Sequence, residues 1–291
     1  MIRKLSFAML LLLGLMINAQ ANRFFYELTY KPKKDSSKIE KATMILDINK
    51  EKSIYQDYVL VVQDSLLNQV MEEMKKSGVM FDQKKLSNQK PPKFSHRISK
   101  SYPSMEISYK EQIAMDYFLY KETPKFNWKI ENEKSKIGAY EVQKASTEYA
   151  GRKWTAWFSS DIPFQDGPYK FYGLPGLIVK VEDEAKDYSW VLKGNRKIDN
   201  LADHLYSESL LKMSGKSNTV EVSKEKFAKR YEEYKQDPFA SMREMLSQIP
   251  KDMKTPDGST VAEKMREQEK KLKDYLQAHD NNIEMPEAKK K

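Results

Sequence analysis

Between Phe24 and Ile198 apolar side chains recur at every second position in one short run after another, a rhythm that turns one face of a strand to a core and the other to water. Phe24, Tyr26, Leu28 and Tyr30 make the first run, and Pro32 to Ser37 interrupt it with turn and charge chemistry. Ala42, Met44, Leu46 and Ile48 make the second, with Asn49 to Lys52 as a turn, and Tyr55 with Tyr58 to Val62 form a third apolar stretch. Leu66, Leu67, Val70, Met71 and Met74 fall at helical spacing, so residues 65–77 fit a short helix as well as a strand. Further strands are expected at Met105 to Tyr109, Met115 to Tyr120, Trp128 to Ile130, Tyr140 to Ala150, Lys153 to Phe158, Ile178 to Asp183 and Tyr188 to Ile198. Trp154 and Trp157 stand three apart, which breaks simple alternation and points to a bulge or strand end nearby. Many short strands separated by turn residues favour an antiparallel sheet over alternating strand and helix units.

The pattern changes after about residue 215. Ser223 opens a segment in which Phe227, Tyr231 and Tyr234 lie at i, i+4 and i+7, one face of a helix that ends before Pro238. Phe239, Met242, Met245 and Leu246 suggest a second, shorter helix that stops near Pro250. Thr260 and Glu263 make a capping box, and Val261, Met265, Leu272, Tyr275 and Leu276 trace an apolar stripe on a charged helix. That stripe is expected to pack on the sheet, with a partner-binding helix as the alternative. Lys289–Lys291 reads as a solvated tail.

At the other end, Arg3 and Lys4 precede the apolar run Leu5 to Ile17, and Ala19 and Ala21 follow in the small-x-small spacing that signal peptidase accepts. Thirteen helical residues span about 20 Å, short of a hydrocarbon core of about 30 Å. Residues 1–21 are therefore expected to be a cleaved signal peptide, cut after Ala21 or after Ala19, with no stable transmembrane anchor left behind. No cysteine occurs anywhere in the chain, which excludes lipid attachment at a cysteine, thiol catalysis, thiolate metal sites and disulfides together. The chain has 17 Tyr, 12 Phe and 4 Trp, enough to build a core without disulfide staples. The formal charge of +9 includes Arg3 and Lys4. Basic residues interleave with acidic ones, and export removes the chain from nucleic acid, so no nucleic-acid partner is expected and the charge reads as a solubilising surface.

The densest local signal is DIPFQDGPYKFYGLPGLIVKVED, from Asp161 to Asp183. Ile162-Pro163 and Gly167-Pro168 stiffen the approach, and Gly173, Pro175 and Gly176 form a compact turn feeding a strand. Phe164, Tyr169, Phe171 and Tyr172 surround that turn and form a candidate aromatic mouth for a ligand or peptide, the alternative being a turn that only sets strand geometry. The segment lacks the G-x-G-x-x-G spacing of a phosphate cradle.

Gly173 to Ile178, preceded by Gly167-Pro168-Tyr169-Lys170-Phe171, resembles the signature of the GLPGLI family of exported proteins from Bacteroidetes bacteria. The resemblance extends over residues 24–240. It implies an envelope or extracellular setting and transfers no catalytic residue, because the family has no established biochemical function.

Other chemistry finds little in the sequence. His96, His204 and His279 are solitary, without H-E-x-x-H or His-x-His spacing, so neither a metal nor a cofactor is expected. No G-x-S-x-G elbow occurs, and Ser214-Gly215-Lys216-Ser217 lacks phosphate-loop spacing. Glu72/Glu73 and Asp161/Asp166 are acid pairs of the kind a glycosidic hydrolase would need, but acid residues are common and surface solvation is the expected role of these pairs. The expectation is an α+β fold: a strand-rich domain over residues 22–215, predominantly an antiparallel, curved sheet with packed helices, and a helical extension over residues 216–291. Its expected role is a non-enzymatic binding or accessory protein of the bacterial cell envelope, periplasmic or secreted, with an envelope protein, peptide or lipid as partner. The alternative is a secreted hydrolase using dispersed carboxylates.

Overall fold

The computed structural model describes residues 20–77, 90–114, 116–201, 205, 208, 219–246, 250, 253–255 and 258–285. All of the expected leader except Gln20 and Ala21 lies outside them, as do His204, Ser214 to Ser217 and the Lys289–Lys291 tail. In chain order the strands are β1 (Ala21–Tyr30), β2 (Glu40–Ile48), β3 (Lys52–Asp57), β4 (Arg97–Ser101), β5 (Glu106–Ile113), β6 (Asp116–Glu122), β7 (Lys129–Ile137), β8 (Tyr140–Tyr149), β9 (Arg152–Ser159), β10 (Leu177–Asp183), β11 (Tyr188–Ile198) and β12 (Thr219–Glu221). They form one open 12-stranded sheet in the order β12-β6-β5-β4-β3-β2-β1-β11-β10-β9-β8-β7. Every neighbouring pair is antiparallel except β12 with β6.

Connectivity alone requires the sheet to curve. Strands β6 and β7 sit near opposite ends of the order, yet only residues 123–128 join them. Laid flat at about 4.8 Å per strand, the separation would be roughly 48 Å. A connector of that length reaches about 25 Å at full extension. The sheet therefore curls until its ends approach, and its inner face becomes a concavity.

Alternation then decides what enters that concavity. Tyr26, Leu28, Met44, Leu46, Tyr55, Trp154, Phe158 and Trp190 project from neighbouring strands into one core and are essentially inaccessible. Burying one such aliphatic side chain contributes about 1.5–3 kcal/mol. Phe25 points the other way and meets Tyr58 on the outer face, ring centroids 5.4 Å apart. Tyr58 opens α1 (Tyr58–Ser77), which covers that face and buries Val70.

Helices α2 (Lys224–Gln236), α3 (Ala240–Leu246) and α4 (Val261–Ala278) follow the sheet. Ser223 caps α2 by accepting the Lys226 N–H at 3.3 Å. The Thr260 capping box of α4 is complete: Thr260 Oγ1 accepts the Glu263 N–H, and Glu263 accepts the Thr260 N–H at 2.9 Å.

One local expectation needs correction, one strand was not foreseen, and the expected bulge near Trp157 lies on the neighbouring strand. Tyr58 to Val62 begin α1 instead of continuing β3, because Asp57 accepts the Val59 N–H at 2.9 Å and starts a helix there. Strand β4 has no alternating apolar signature, since the side chain that follows Ile98 on the inner face is Lys100. Through Trp154 and Trp157, β9 keeps its alternation, with Trp154 buried and Trp157 half-buried on the other face. The bulge lies across the ladder in β10, where pairing passes from Ile178–Phe158 to Lys180–Trp157 and leaves Val179 over.

Candidate functional site

The segment between β9 and β10, residues 160–176, folds back under the sheet instead of looping into solvent. Lys100, with no exposed surface, reaches it from β4. Its Nζ donates to the carbonyls of Gly167 (2.7 Å), Tyr169 (3.1 Å) and Phe171 (3.3 Å), and pairs with the Asp166 carboxylate. Burial lowers the pKa of Lys100 although Asp166 opposes that shift. The Tyr102 hydroxyl also donates to Asp166. Trp128 Nε1 donates to the Tyr172 carbonyl at 2.8 Å, and the Tyr26 hydroxyl to the Ile178 carbonyl at 2.7 Å. Two glycines are required by close approach. A Cβ on Gly167 would stand 2.8 Å from Ile178, and one on Gly176 would stand 2.1 Å from the Ser159 carbonyl oxygen.

This fixed loop sends two side chains into the remaining concavity. Tyr169 holds a left-handed backbone (φ 55°), which a bulky residue keeps only when its surroundings enforce it. Its ring lies over Trp190, and its hydroxyl donates to Glu284 Oε1 at 2.8 Å. Lys170, fully buried, pairs with Glu122 on β6 and with Glu284, and donates to the Tyr120 hydroxyl at 2.8 Å. Its ammonium also faces the rings of Tyr109 and Tyr120 at 4.9 and 5.1 Å. Lys224, the first residue of α2, donates at 2.8 Å to Glu122 Oε2 and at 2.8 Å to Glu284 Oε2. Two ammonium groups thus alternate with two carboxylates. Burial works against the charge on Glu284, yet Lys170 and Lys224 outweigh it and hold the carboxyl down at about 2. Burial likewise opposes the Lys224 charge, and Glu284 and Glu122 still raise its pKa.

Glu284 reaches this cluster from a strap that follows α4. Arg152 on β9 anchors the strap, donating to the Asn281 side chain (2.8 Å) and to the carbonyls of Asn282 (2.8 Å) and Ile283 (3.0 Å). The same guanidinium pairs with Asp183 at 2.7 Å and Asp187 at 3.0 Å.

Between the sheet, α2, α4 and this strap lies a cavity of about 970 Å³. Nine tyrosines line it, with Phe94, Phe227, Leu272, Leu276 and Ile283 among its apolar walls. Although the stripe of α4 faces the sheet side through Leu272, Tyr275 and Leu276, the helix buries none of its residues. The space beneath it is open. His96 lies in the wall, stacked on Tyr55 and Tyr109, and its Nε2 has no hydrogen-bond partner among the described residues. Burial, then the Lys170 charge, lowers its pKa to about 3, so the imidazole is neutral. Glu111 also borders the cavity, and burial raises its pKa although Tyr109 and Ser95 donate to it. The site can accommodate an apolar body beside a compact group of charges.

Of the four aromatic residues singled out in the sequence, Tyr169 lines the cavity. Phe171 sits in the core against Trp154, with centroids 4.8 Å apart. Phe164 is half-buried edge-on to Phe24, and Tyr172 is half-buried against Phe126. Asp161, Glu72 and Glu73 are exposed, while Asp166 is tied to Lys100. Among the described residues no three histidine, aspartate or glutamate side chains gather where they could hold a metal ion. Among those residues, too, no helix is long and apolar enough to cross a membrane. Sequence reasoning missed Lys170, Lys224, Glu122 and Glu284, and weighed His96 only as a metal ligand. Only the Tyr-Lys-Phe-Tyr run hinted at a lysine held among rings.

A family model described as a protein of unknown function (Porph_ging) matches residues 147–180, a stretch that contains the whole hexapeptide Gly173 to Ile178. No curated protein matches the sequence. Among solved structures, PNGF-II is similar in each of two crystal settings, with 18% and 17% identity and a TM-score of 0.47 in both. The likeness covers 73% of this chain, which spans about a third of the PNGF-II chains (33% and 32%). A putative outer membrane lipoprotein-sorting protein domain from Vibrio parahaemolyticus is similar at 10% identity and a TM-score of 0.28, over 66% of this chain and 91% of that one. Superpositions this loose carry no functional residue across. The family match is confined to the end of β8, β9, the folded-back loop and the start of β10, and touches the cavity through Tyr149, Ala150 and Tyr169.

Proposed function

We propose that this is an exported, non-enzymatic binding or accessory protein of the bacterial cell envelope that holds a small amphiphilic molecule, of lipid character, between its curved sheet and its C-terminal helices. The observation that carries the reading is the cavity itself. A helix with a pronounced apolar stripe stands over a concave aromatic wall, and its stripe lines about 970 Å³ of space without being buried. That volume lies within the range of about 300–1,000 Å³ typical of small-molecule sites, and the lining sets tyrosine rings and aliphatic side chains beside charged groups such as Lys224, Glu111 and Glu284. The leader-like N-terminus supports export, and the family resemblance supports an envelope setting.

Within this reading Phe164, Phe171 and Tyr172 hold the loop in place, and Tyr169 is the ring of that group that meets the ligand. The protein, produced through its own export route, is to be extracted with organic solvent and the extract identified by mass spectrometry, beside a Leu272→Glu form. A stoichiometric amphiphile recovered from the wild type and lost from Leu272→Glu supports the proposal. Two empty proteins contradict it.

A further inference from the structure

The Glu284 carboxylate is gripped as a bound ligand would be. Lys170 and Tyr169 (2.8 Å) donate to Oε1, Tyr149 adds a bond there at 3.2 Å, and Lys224 takes Oε2 at 2.8 Å. Four donors from the loop, β8 and α2 therefore converge on one carboxylate that arrives from a distant part of the chain. Charge sharpens the point. With Glu284 in place, two lysines face two carboxylates, whereas without it one positive charge is uncompensated beside Lys170, which has no exposed surface. A buried ammonium without its counter-charge is strongly disfavoured. Whatever replaces Glu284 must bring one negative charge in a shape that accepts bonds from both sides.

The strap makes such an exchange local. Arg152 holds Asn281 to Ile283 independently of Glu284. Beyond Ile283, the described chain is tied on by the Glu284 bonds and by the Met285 N–H to the Ala150 carbonyl at 3.0 Å. Swinging Glu284 out leaves the anchor intact and opens the cage directly onto the tyrosine-lined cavity. His96, in the same wall, has an Nε2 that no described residue satisfies.

We infer that Lys170, Lys224, Tyr149 and Tyr169 form a carboxylate-binding site for the head of an apolar-bodied ligand, and that Glu284 is a tethered stand-in which such a ligand displaces. The inference rests on the reading of the cavity as a ligand site. By mass action, a tethered competitor reduces apparent affinity to the fraction of molecules in which it leaves the site free.

The test uses the full mature chain with laurate and 1-dodecanol, which share an apolar tail and differ in charge, titrated calorimetrically into wild type and Glu284→Gln. Glu284→Gln is expected to bind laurate at least tenfold tighter than wild type, and to bind dodecanol no tighter than wild type does. Equal laurate affinity in the two proteins, or laurate and dodecanol bound equally by Glu284→Gln, would overturn the carboxylate site while leaving the cavity reading standing. No binding of either compound to either protein would overturn both. If Glu284→Gln does not fold, thermal melting decides: laurate restoring its cooperative transition where dodecanol does not supports the site, and no restoration by laurate overturns it.

Discussion

Two halves of one concave sheet face show opposite solutions to the same packing problem. Beneath β9, β10 and β4 the chain fills the curve with its own loop, and the groups there are saturated: Lys100 satisfies three carbonyls and a carboxylate, and Phe171 has no exposed surface. Beneath α4 the same curve is roofed at a distance and left open, with a helix that buries nothing. Filled space resists change because its side chains are close-packed. Open space tolerates it, because there is little packing to lose.

The widest separation between the halves should come from Lys100→Met. It leaves Asp166 buried without its ammonium and should cost about 3–5 kcal/mol, measured by urea unfolding. A loss under about 1 kcal/mol would show that the loop half is not the rigid one. Acid should then weaken the wall between the halves. His96 has a folded pKa of about 3 against an ordinary 6.5, so below pH 6.5 the unfolded chain takes up a proton that the folded one refuses. Its contribution is complete above pH 6.5 and is lost as pH falls toward 3, by about 2 kcal/mol at pH 5. Glu284, held at about 2 against an ordinary 4.5, adds a further loss as pH falls from 4.5 toward 2. The groups around His96 include the charges of Lys170 and Glu284 and the rings of Tyr55, Tyr109 and Tyr169. His96→Phe should remove the first of these windows, visible as a smaller fall in denaturation midpoint from pH 8 to pH 5 than the wild type shows. The smallest effect is expected in the roof. Leu272→Ala should cost less than about 1 kcal/mol, against 2–5 for a packed leucine, and a cost in the packed range would mean that the roof rests on the sheet.

Much of the sheet was legible because alternation is local. Phe24 to Tyr30, Ala42 to Ile48 and Tyr188 to Ile198 became β1, β2 and β11 with only their edges moved. The Thr260–Glu263 cap and the Phe227, Tyr231, Tyr234 face were legible for the same reason. The site was not. Lys100 in Arg-Ile-Ser-Lys-Ser looks like a surface lysine until pairing with β3 and β5 turns it inward. Glu284 stands near the end of a charged tail, and nothing beside it in sequence shows that it meets Lys170 and Lys224. Contacts across more than a hundred residues are set by topology, which periodicity does not encode. Tyr58 to Val62 misled for a more local reason: an apolar run without period two is common to strands and helices, and the Asp57 cap decided between them.

Xenon settles in apolar space and is excluded from close-packed cores. Crystals of the mature protein under xenon pressure therefore test the contrast between the halves most directly. The account predicts xenon between Leu272, Tyr231 and the tyrosine wall, with none around Phe171 beneath the loop. Xenon absent from the helix half, or equally present beneath the loop, would contradict it.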